Sequence, residues 1–293
     1  MKQKILGGLS IKELAKKIWR EANEDNIFGR AAELAYYFLL ALFPMLIFLT
    51  SLVAFLPGAQ EGILDAIAKV APSDAMRLVR ETLHDIVSNR SGGLLSFGVL
   101  GTIWAASSGT TAVMEALNDA YEAEEGRGFI KLRGLALGMT VALALLIVGG
   151  TTLIMFGDRF ALWIADAAGL GPTFATVWHY VDYLIGLALI FVGLQVIYYF
   201  GPNIKQDWKW ITPGAMVAVA ALIIVSLLFS VYLRVAPSYS ATYGSLGAVI
   251  ILMLYLYLIG LVILLGAEIN SEINKANHVP VIEKEPSNDL KAA

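Results

Sequence analysis

Residues 244–267, GSLGAVIILMLYLYLIGLVILLGA, pass through 24 positions without a charge. As an α-helix this run would extend about 36 Å, longer than the ~30 Å hydrocarbon core of a bilayer. Five more apolar runs of crossing length lie near 31–56, 94–114, 134–156, 181–200 and 212–235. Inside lipid no water satisfies the backbone, so each run must close its own hydrogen bonds, as a helix does. The runs are also far longer than the strands of a membrane barrel. Hydrophobic residues make up 58% of the chain and charged residues 15%, where a soluble domain carries about 25% charged. The fold class read from this is all-α: a polytopic membrane protein with six transmembrane helices.

An even number of spans places both termini on one side, and the basic residues say which. Residues 1–30, 120–133, 201–211 and the tail from 268 hold fifteen of the twenty-one Lys and Arg. The positive-inside rule then predicts cytoplasmic termini. The N-terminus does not read as a secretory signal, because MKQKILGGLS leads into the charged IKELAKKIWREANEDN. With no cysteine there is no disulfide framework, thiolate nucleophile or Cys-based zinc site. The net charge of −3 is too small to point to nucleic acid as a partner.

The segments around the spans carry their own patterns. In residues 1–30, Ile11, Leu14, Ala15, Ile18, Trp19 and Ala22 share one helical face while Lys12, Glu13, Lys16, Lys17 and Arg20 stay off it. This predicts an N-terminal interfacial amphipathic helix, basic and cytoplasmic, with Trp19 at headgroup depth. A solvated helix or a calmodulin-type target is the alternative. Residues 57–93 show helical apolar spacing on both sides of Pro72, with Ser73 as N-cap, and predict an outer amphipathic helical hairpin. The bundle then spans 31–269, and residues 270–293 read as a disordered cytoplasmic tail.

Small residues recur at steps of three or four along the second span: Gly98, Gly101, Ala105, Ser108 and Ala112. Gly134 and Gly138 follow the same spacing in the third. Helices in lipid associate through such surfaces, so these residues read as helix packing, within a chain that could also form a homo-oligomer. Pro44 removes a backbone hydrogen bond in the first span and predicts a kink.

Several ordered stretches carry a resemblance: AAELAYYFLLALFP (31–44), IWAASSGTTAVMEALNDAYE (103–122), YYFGPNIKQDWKWITPGA (198–215) and YSATYGSLGAVIILMLYLYLIGLVILLGAEIN (239–270). Together they resemble the YihY/BrkB family of bacterial inner-membrane proteins, in order over about residues 15–275. The resemblance implies six transmembrane helices and a multi-pass inner-membrane location. It implies no catalytic residues. Members have carried labels as different as ribonuclease BN, generally regarded as a misassignment, and virulence factor, and some have been linked to envelope lipid transport.

Chemistry is sparse in the sequence itself. The three histidines, His84, His179 and His278, are far apart, and no phosphate-binding loop, nucleophile elbow or zinc helix motif occurs. The expectation is no enzyme, no metal and no cofactor. Ionisable groups at span ends are more informative, since they are costly in lipid and tend to face a bundle interior. Glu33 sits in the first turns of its helix, where the positive dipole end favours it by roughly 0.3–1 kcal/mol. Glu115 and Glu268 sit at the unfavourable end and need a cation, a donor or a proton. The plain account is the helix start for Glu33 and interfacial solvation for Glu115 and Glu268. The sharper one gathers Glu33, Tyr36, Glu115, Asn118, Glu268 and Asn270 into a cytoplasmic polar pocket with a cation such as Arg30 or Arg133. On the outer side Arg234, with Tyr239 and Tyr243, is the candidate contact for an anionic headgroup. The functional expectation is binding or translocation of a lipid, amphiphile or other envelope-related solute, with membrane lipids as partners. A membrane scaffold or envelope-integrity factor is the alternative, and a membrane-bound ribonuclease comes third.

Overall fold

The computed structural model describes residues 8–54, 92–167, 172–235, 245–277 and 282–283. Seven helices run through them in chain order: α1 Ile11–Glu24, α2 Ile27–Ala54, α3 Gly92–Ala120, α4 Phe129–Ala167, α5 Pro172–Phe200, α6 Pro213–Val235 and α7 Ser245–Ala276. Two short strands, β1 Ile204–Lys205 and β2 Ile282–Glu283, pair antiparallel with Ile204 opposite Glu283. Among the described residues, four helices carry stretches long and apolar enough to cross a membrane, at Phe129–Gly150, Tyr183–Phe200, Pro213–Leu233 and Val249–Ala276. Their large apolar side chains, Leu145, Leu184, Leu227 and Leu228 among them, are exposed. That is the surface expected of helices solvated by lipid rather than water.

The helices extend past the apolar runs that identify them, because helical periodicity continues into amphipathic ends that hydropathy alone does not register. α2 starts four residues before 31, and α4 continues eleven residues beyond 156. The tail expected to be disordered from residue 270 instead begins as the last turns of α7, through Ala276, and residues 282–283 pair with β1. Ile273 explains the first part, since it is buried against α1. Pro44 lies within the continuous α2. The outer hairpin over 57–91 lies outside the described residues.

The chain divides into two compact units. Unit 1 comprises residues 1–27, 114–223 and 262–293. Here Ser10 and Glu13 form a capping box at the start of α1: the Ser10 N–H donates to the Glu13 carboxylate at 2.9 Å, and the Glu13 N–H donates to Ser10 Oγ at 3.3 Å. The helix ends at Asp25, and Asn26 follows in the left-handed region at φ 49°. The apolar face of α1 divides. Leu14 and Ile18 pack on Ile269 and Ile273 of α7, while Ile11, Ala15 and Trp19 form an exposed stripe at four-residue spacing.

In the same unit α4 packs on α5 through Gly150, whose Cβ position lies 2.9 Å from Leu189, and Gly193, 3.7 Å from Leu143. Among the described residues, a Cβ at Gly134 or Gly138 meets nothing within 4 Å. The packed side of α4 is instead Ala136 and Met139, against Met114 and Ile197. The two glycines therefore sit on the other side of the helix. Gly214 at the start of α6 and Gly266 in α7 are where two backbones do approach, since a Cβ on Gly214 would reach Asn270 Nδ2 at 2.7 Å.

Unit 2 comprises residues 28–113 and 224–261. Within it Gly109 of α3 lies against Tyr37, and a Cβ on Gly260 of α7 would lie 3.3 Å from the Ala31 carbonyl, so α2 is approached closely at two small positions. Ser226 and Tyr255 share a hydrogen bond of 3.0 Å between α6 and α7. Gly98, Gly101 and Ala105 lie in α3, but their side-chain surroundings fall outside the described residues.

Candidate functional site

Unit 1 carries three polar constructions. The first ties the end of α3 to the end of α5. Asn118, buried in the last turn of α3, accepts the Asn203 N–H at 2.6 Å and donates to Glu125 at 2.8 Å. Glu125 also accepts from Arg127: Nε at 2.7 Å, the backbone N–H at 2.9 Å and the terminal guanidinium nitrogen. Arg127, only 5% exposed, donates onward to the carbonyls of Gly201 at 3.0 Å and Phe200 at 3.4 Å. Those carbonyls lack partners inside the helix and sit at its negative end, so a guanidinium suits them doubly. Burial alone would raise the Glu125 carboxyl, and the donors from Arg127 and Asn118 outweigh it, holding the group below its usual range.

The second is a cavity of about 330 Å³ whose wall includes Tyr121, Gln195, Tyr198, Thr212 and Asn270. Its polar side is cross-braced. Asn270 accepts the Gly214 N–H at 2.8 Å and donates to Thr212 Oγ at 3.2 Å. The Thr212 hydroxyl donates to Gln195 at 3.2 Å, and Gln195 donates to the Trp210 carbonyl at 2.9 Å. Thr212 also caps α6, accepting the Ala215 N–H at 3.3 Å just before Pro213 opens the helix. Gln206 fastens the other wall by donating to the Tyr198 and Tyr199 carbonyls. The link that borders the cavity is aromatic: Tyr199, Phe200, Trp208 and Trp210 stack edge to face, and Trp210 and Ile211 are exposed.

The third lies where α1 docks on α7. Lys275 is bridged to Glu272 at 3.0 Å, Glu122 at 2.8 Å and Glu21 at 3.8 Å, and Lys17 reaches Glu272 at 3.0 Å. Beside this network Glu268 is fully buried, within hydrogen-bonding reach of Asp25. Both Glu268 oxygens and Asp25 Oδ2 are buried, and among the described residues no N–H or O–H donates to them. Burial raises the Asp25 carboxyl above its usual range, with Glu21 and Glu122 adding to the effect and the hydrogen bond with Glu268 and the charge of Lys275 opposing it. Tyr121 lines the cavity, comes within reach of Asn270 and feels the charge of Glu268. Its phenol is pushed up by burial.

The residues proposed from sequence for one polar pocket thus have different surroundings. Glu268 and Asn270 are buried at the α7 end, Asn270 on the cavity and Glu268 on Asp25. Asn118 is committed to Asn203 and Glu125. Glu115 is exposed on α3. In unit 2, Glu33 pairs with Arg30 at 2.9 Å and Tyr36 is exposed beside Tyr37. The Arg234 side chain, Tyr239 and Tyr243 lie outside the described residues. Among the described residues no group of three or more His, Cys, Asp or Glu side chains is placed to hold a metal ion.

The family described as Virulence factor BrkB matches residues 18–290. The chain belongs to the BrkB family. It is 40% identical over 252 residues to the ribonuclease-like protein YfkH of Bacillus subtilis (strain 168), covering 86% of this chain and 92% of that one. It is 26% identical over 275 residues to a UPF0761 membrane protein of Stenotrophomonas maltophilia (strain R551-3), covering 90% of this chain and 61% of that one. A UPF0761 membrane protein of Tolumonas auensis is 27% identical over 266 residues, covering 88% of this chain and 84% of its own. No solved structure matches. This BrkB chain, like the two UPF0761 relatives, is a membrane protein.

Sequence reasoning missed Asp25, Arg127, Tyr121 and Gln195 in this BrkB protein. A signal existed for part of the third construction. Glu268, Glu272 and Lys275 recur at i, i+4 and i+7 on α7, and Glu21 and Asp25 are one turn apart on α1. Nothing local announced that the two faces meet.

Proposed function

We propose that this BrkB-family protein binds the polar head of a lipid or other amphiphile in the unit 1 cavity and passes it across or along the bacterial inner membrane. The termini and the cavity belong to the cytoplasmic side in this reading, as the distribution of basic residues favours. The observation that carries the reading is the cavity itself: about 330 Å³, at the lower end of the size range of small-molecule pockets. Its carboxamide and hydroxyl groups are braced, and Lys209 and Ile211, which line it, flank the exposed Trp210 in the chain. Tryptophan at an interface anchors at headgroup depth, and a lysine there attracts an anionic phosphate. Amides and hydroxyls inside would take up the remaining polar atoms of a head without a fixed charge requirement.

The test is reconstitution in liposomes with headgroup-labelled phosphatidylethanolamine and phosphatidylglycerol. Met216, which lines the cavity, is replaced by the larger tryptophan, and Leu145→Trp on exposed α4 surface serves as the control. Met216→Trp should slow protein-dependent lipid movement by about tenfold or more, a loss of about 1.4 kcal/mol, while Leu145→Trp leaves it unchanged. Absence of any protein-dependent movement or binding of the lipids would reject this reading in favour of a scaffold.

A further inference from the structure

The contact between Asp25 and Glu268 has an unusual composition for a buried site. Glu268 is fully buried and both of its oxygens are without a donor among the described residues, as is the Asp25 oxygen buried beside it. Carboxylate oxygens only accept hydrogen bonds, so two ionised groups in reach of each other repel and leave buried acceptors unmet. One proton between them removes the repulsion and supplies the missing hydrogen bond, as in carboxyl pairs that share a proton.

The surroundings push the same way. Asp25 is the C-cap of α1, at the negative end of that helix dipole. Glu268 lies toward the C-terminal end of α7. The groups facing the pair come from three elements: Glu21 on α1, Tyr121 and Glu122 just after α3, and Lys275 on α7. The one cation among them, Lys275, is already bridged to Glu21, Glu122 and Glu272. Lys17 is taken by Glu272 and Arg20 by Glu21.

We infer that Asp25 and Glu268 together form a single-proton binding site that fastens the C-terminal end of α1 to α7. Loss of the proton leaves two carboxylates facing each other beside Glu21 and Glu122, and the α1 contact loosens. Tyr121, on the cavity wall, feels the charge of Glu268, so the charge on the pair is also felt at the cavity. The proton site does not depend on the lipid-binding reading and is measured without any lipid substrate.

Difference infrared spectroscopy of the reconstituted chain detects the C=O stretch of a protonated carboxyl, and hydrogen exchange reports on α1. At neutral pH the unaltered protein should show one such band. It should be lost in both Glu268→Gln and Asp25→Asn, because the new amide donates to the remaining carboxylate and lets it ionise. As pH rises through loss of the band, α1 protection factors should fall by about tenfold, the equivalent of one pK unit. In Glu268→Gln they should stay level. Absence of the band in the unaltered protein, or its persistence in both folded variants, would overturn the proposal. A band that disappears on adding Na⁺ or Ca²⁺ at fixed pH would also overturn it, by making the site a cation site. Because neither measurement uses lipid movement, these failures are separate from failure of the cavity reading.

Discussion

Glu125 and the Asp25–Glu268 pair are carboxyl groups of one unit in opposite circumstances. Glu125 receives hydrogen bonds from Asn118 and from three nitrogens of Arg127, and its pKa is held low despite burial. Both Glu268 oxygens and Asp25 Oδ2 at the α1–α7 contact receive none among the described residues, and Asp25 is raised. Burial penalises the charged form in both places, and what differs is the supply of donors. The first construction is therefore a fixed brace, and the second is a contact whose strength depends on a proton.

The largest effect tests the brace. Arg127→Met removes the guanidinium but keeps much of the side-chain volume, leaving Glu125 partly buried and the Phe200 and Gly201 carbonyls short of donors. Breaking a buried pair from one side costs about 3–5 kcal/mol. Denaturation in detergent should show a loss at the lower end of that range, because Glu125 keeps some exposure. Arg127→Lys should recover only part of it, since an ammonium cannot reproduce the planar fork that serves Glu125 and the carbonyls together. Equal stability of Arg127→Met and the unaltered chain would break the comparison at its firmer end.

The pH dependence separates the two regions by sign. Asp25 has a raised folded pKa, so the folded chain holds a proton that the unfolded chain releases. The stability this adds is complete below the ordinary aspartate pKa and is lost as pH rises to the folded value. Glu125 has a lowered pKa, so its contribution is complete above the ordinary glutamate value and is lost as pH falls through the folded one. Within each window the slope is at most about 1.4 kcal/mol per pH unit for one proton. Glu268→Gln should flatten the upper window and leave the acid limb intact. Arg127→Met should do the reverse. A profile whose upper window is unchanged in Glu268→Gln would remove the distinction.

Sequence made one side of this comparison partly legible. Glu268 drew attention because a carboxylate at a helix C-terminus is electrostatically misplaced, and it proves to be the buried, undonated one. The same argument selected Glu115, which is exposed, because a dipole argument locates a residue along a helix but not around it. Asp25 was missed since NEDN reads as a solvated turn, and its partner lies more than two hundred residues away. Arg127 was hidden in the same manner: EEGRGF reads as an exposed loop, yet the guanidinium is buried by the end of α5. The long helices were legible because lipid imposes length and apolarity on contiguous sequence. Glycine packing was not, because spacing identifies a small stripe without saying which helix, if any, covers it. Among the described residues Gly134 and Gly138 meet nothing within 4 Å, while Gly214 and Gly266 lie at a close approach.

The smallest effect concerns the turns that present the two regions. Asn26 follows the end of α1 at φ 49°, and Glu122 follows the end of α3 at φ 50°, both in the left-handed region. Asparagine tolerates that conformation through its short polar side chain, whereas an ordinary side chain there costs roughly 1–2 kcal/mol. Asn26→Ala should therefore lose about 1 kcal/mol, and Asn26→Gly almost nothing. Glu122 already bears the strain, and its ion pair with Lys275 at 2.8 Å is on a side chain that is 59% exposed. Such a pair contributes about 0–1 kcal/mol. Glu122→Gly relieves the backbone and forfeits the pair, so its stability should lie within about 0.5 kcal/mol of the unaltered chain. Chemical denaturation of the three variants side by side checks this. A loss well above 1 kcal/mol for Glu122→Gly would mean that Lys275 depends on Glu122 to neutralise the ground around the carboxyl pair. The two regions would then be coupled through that lysine, not independent.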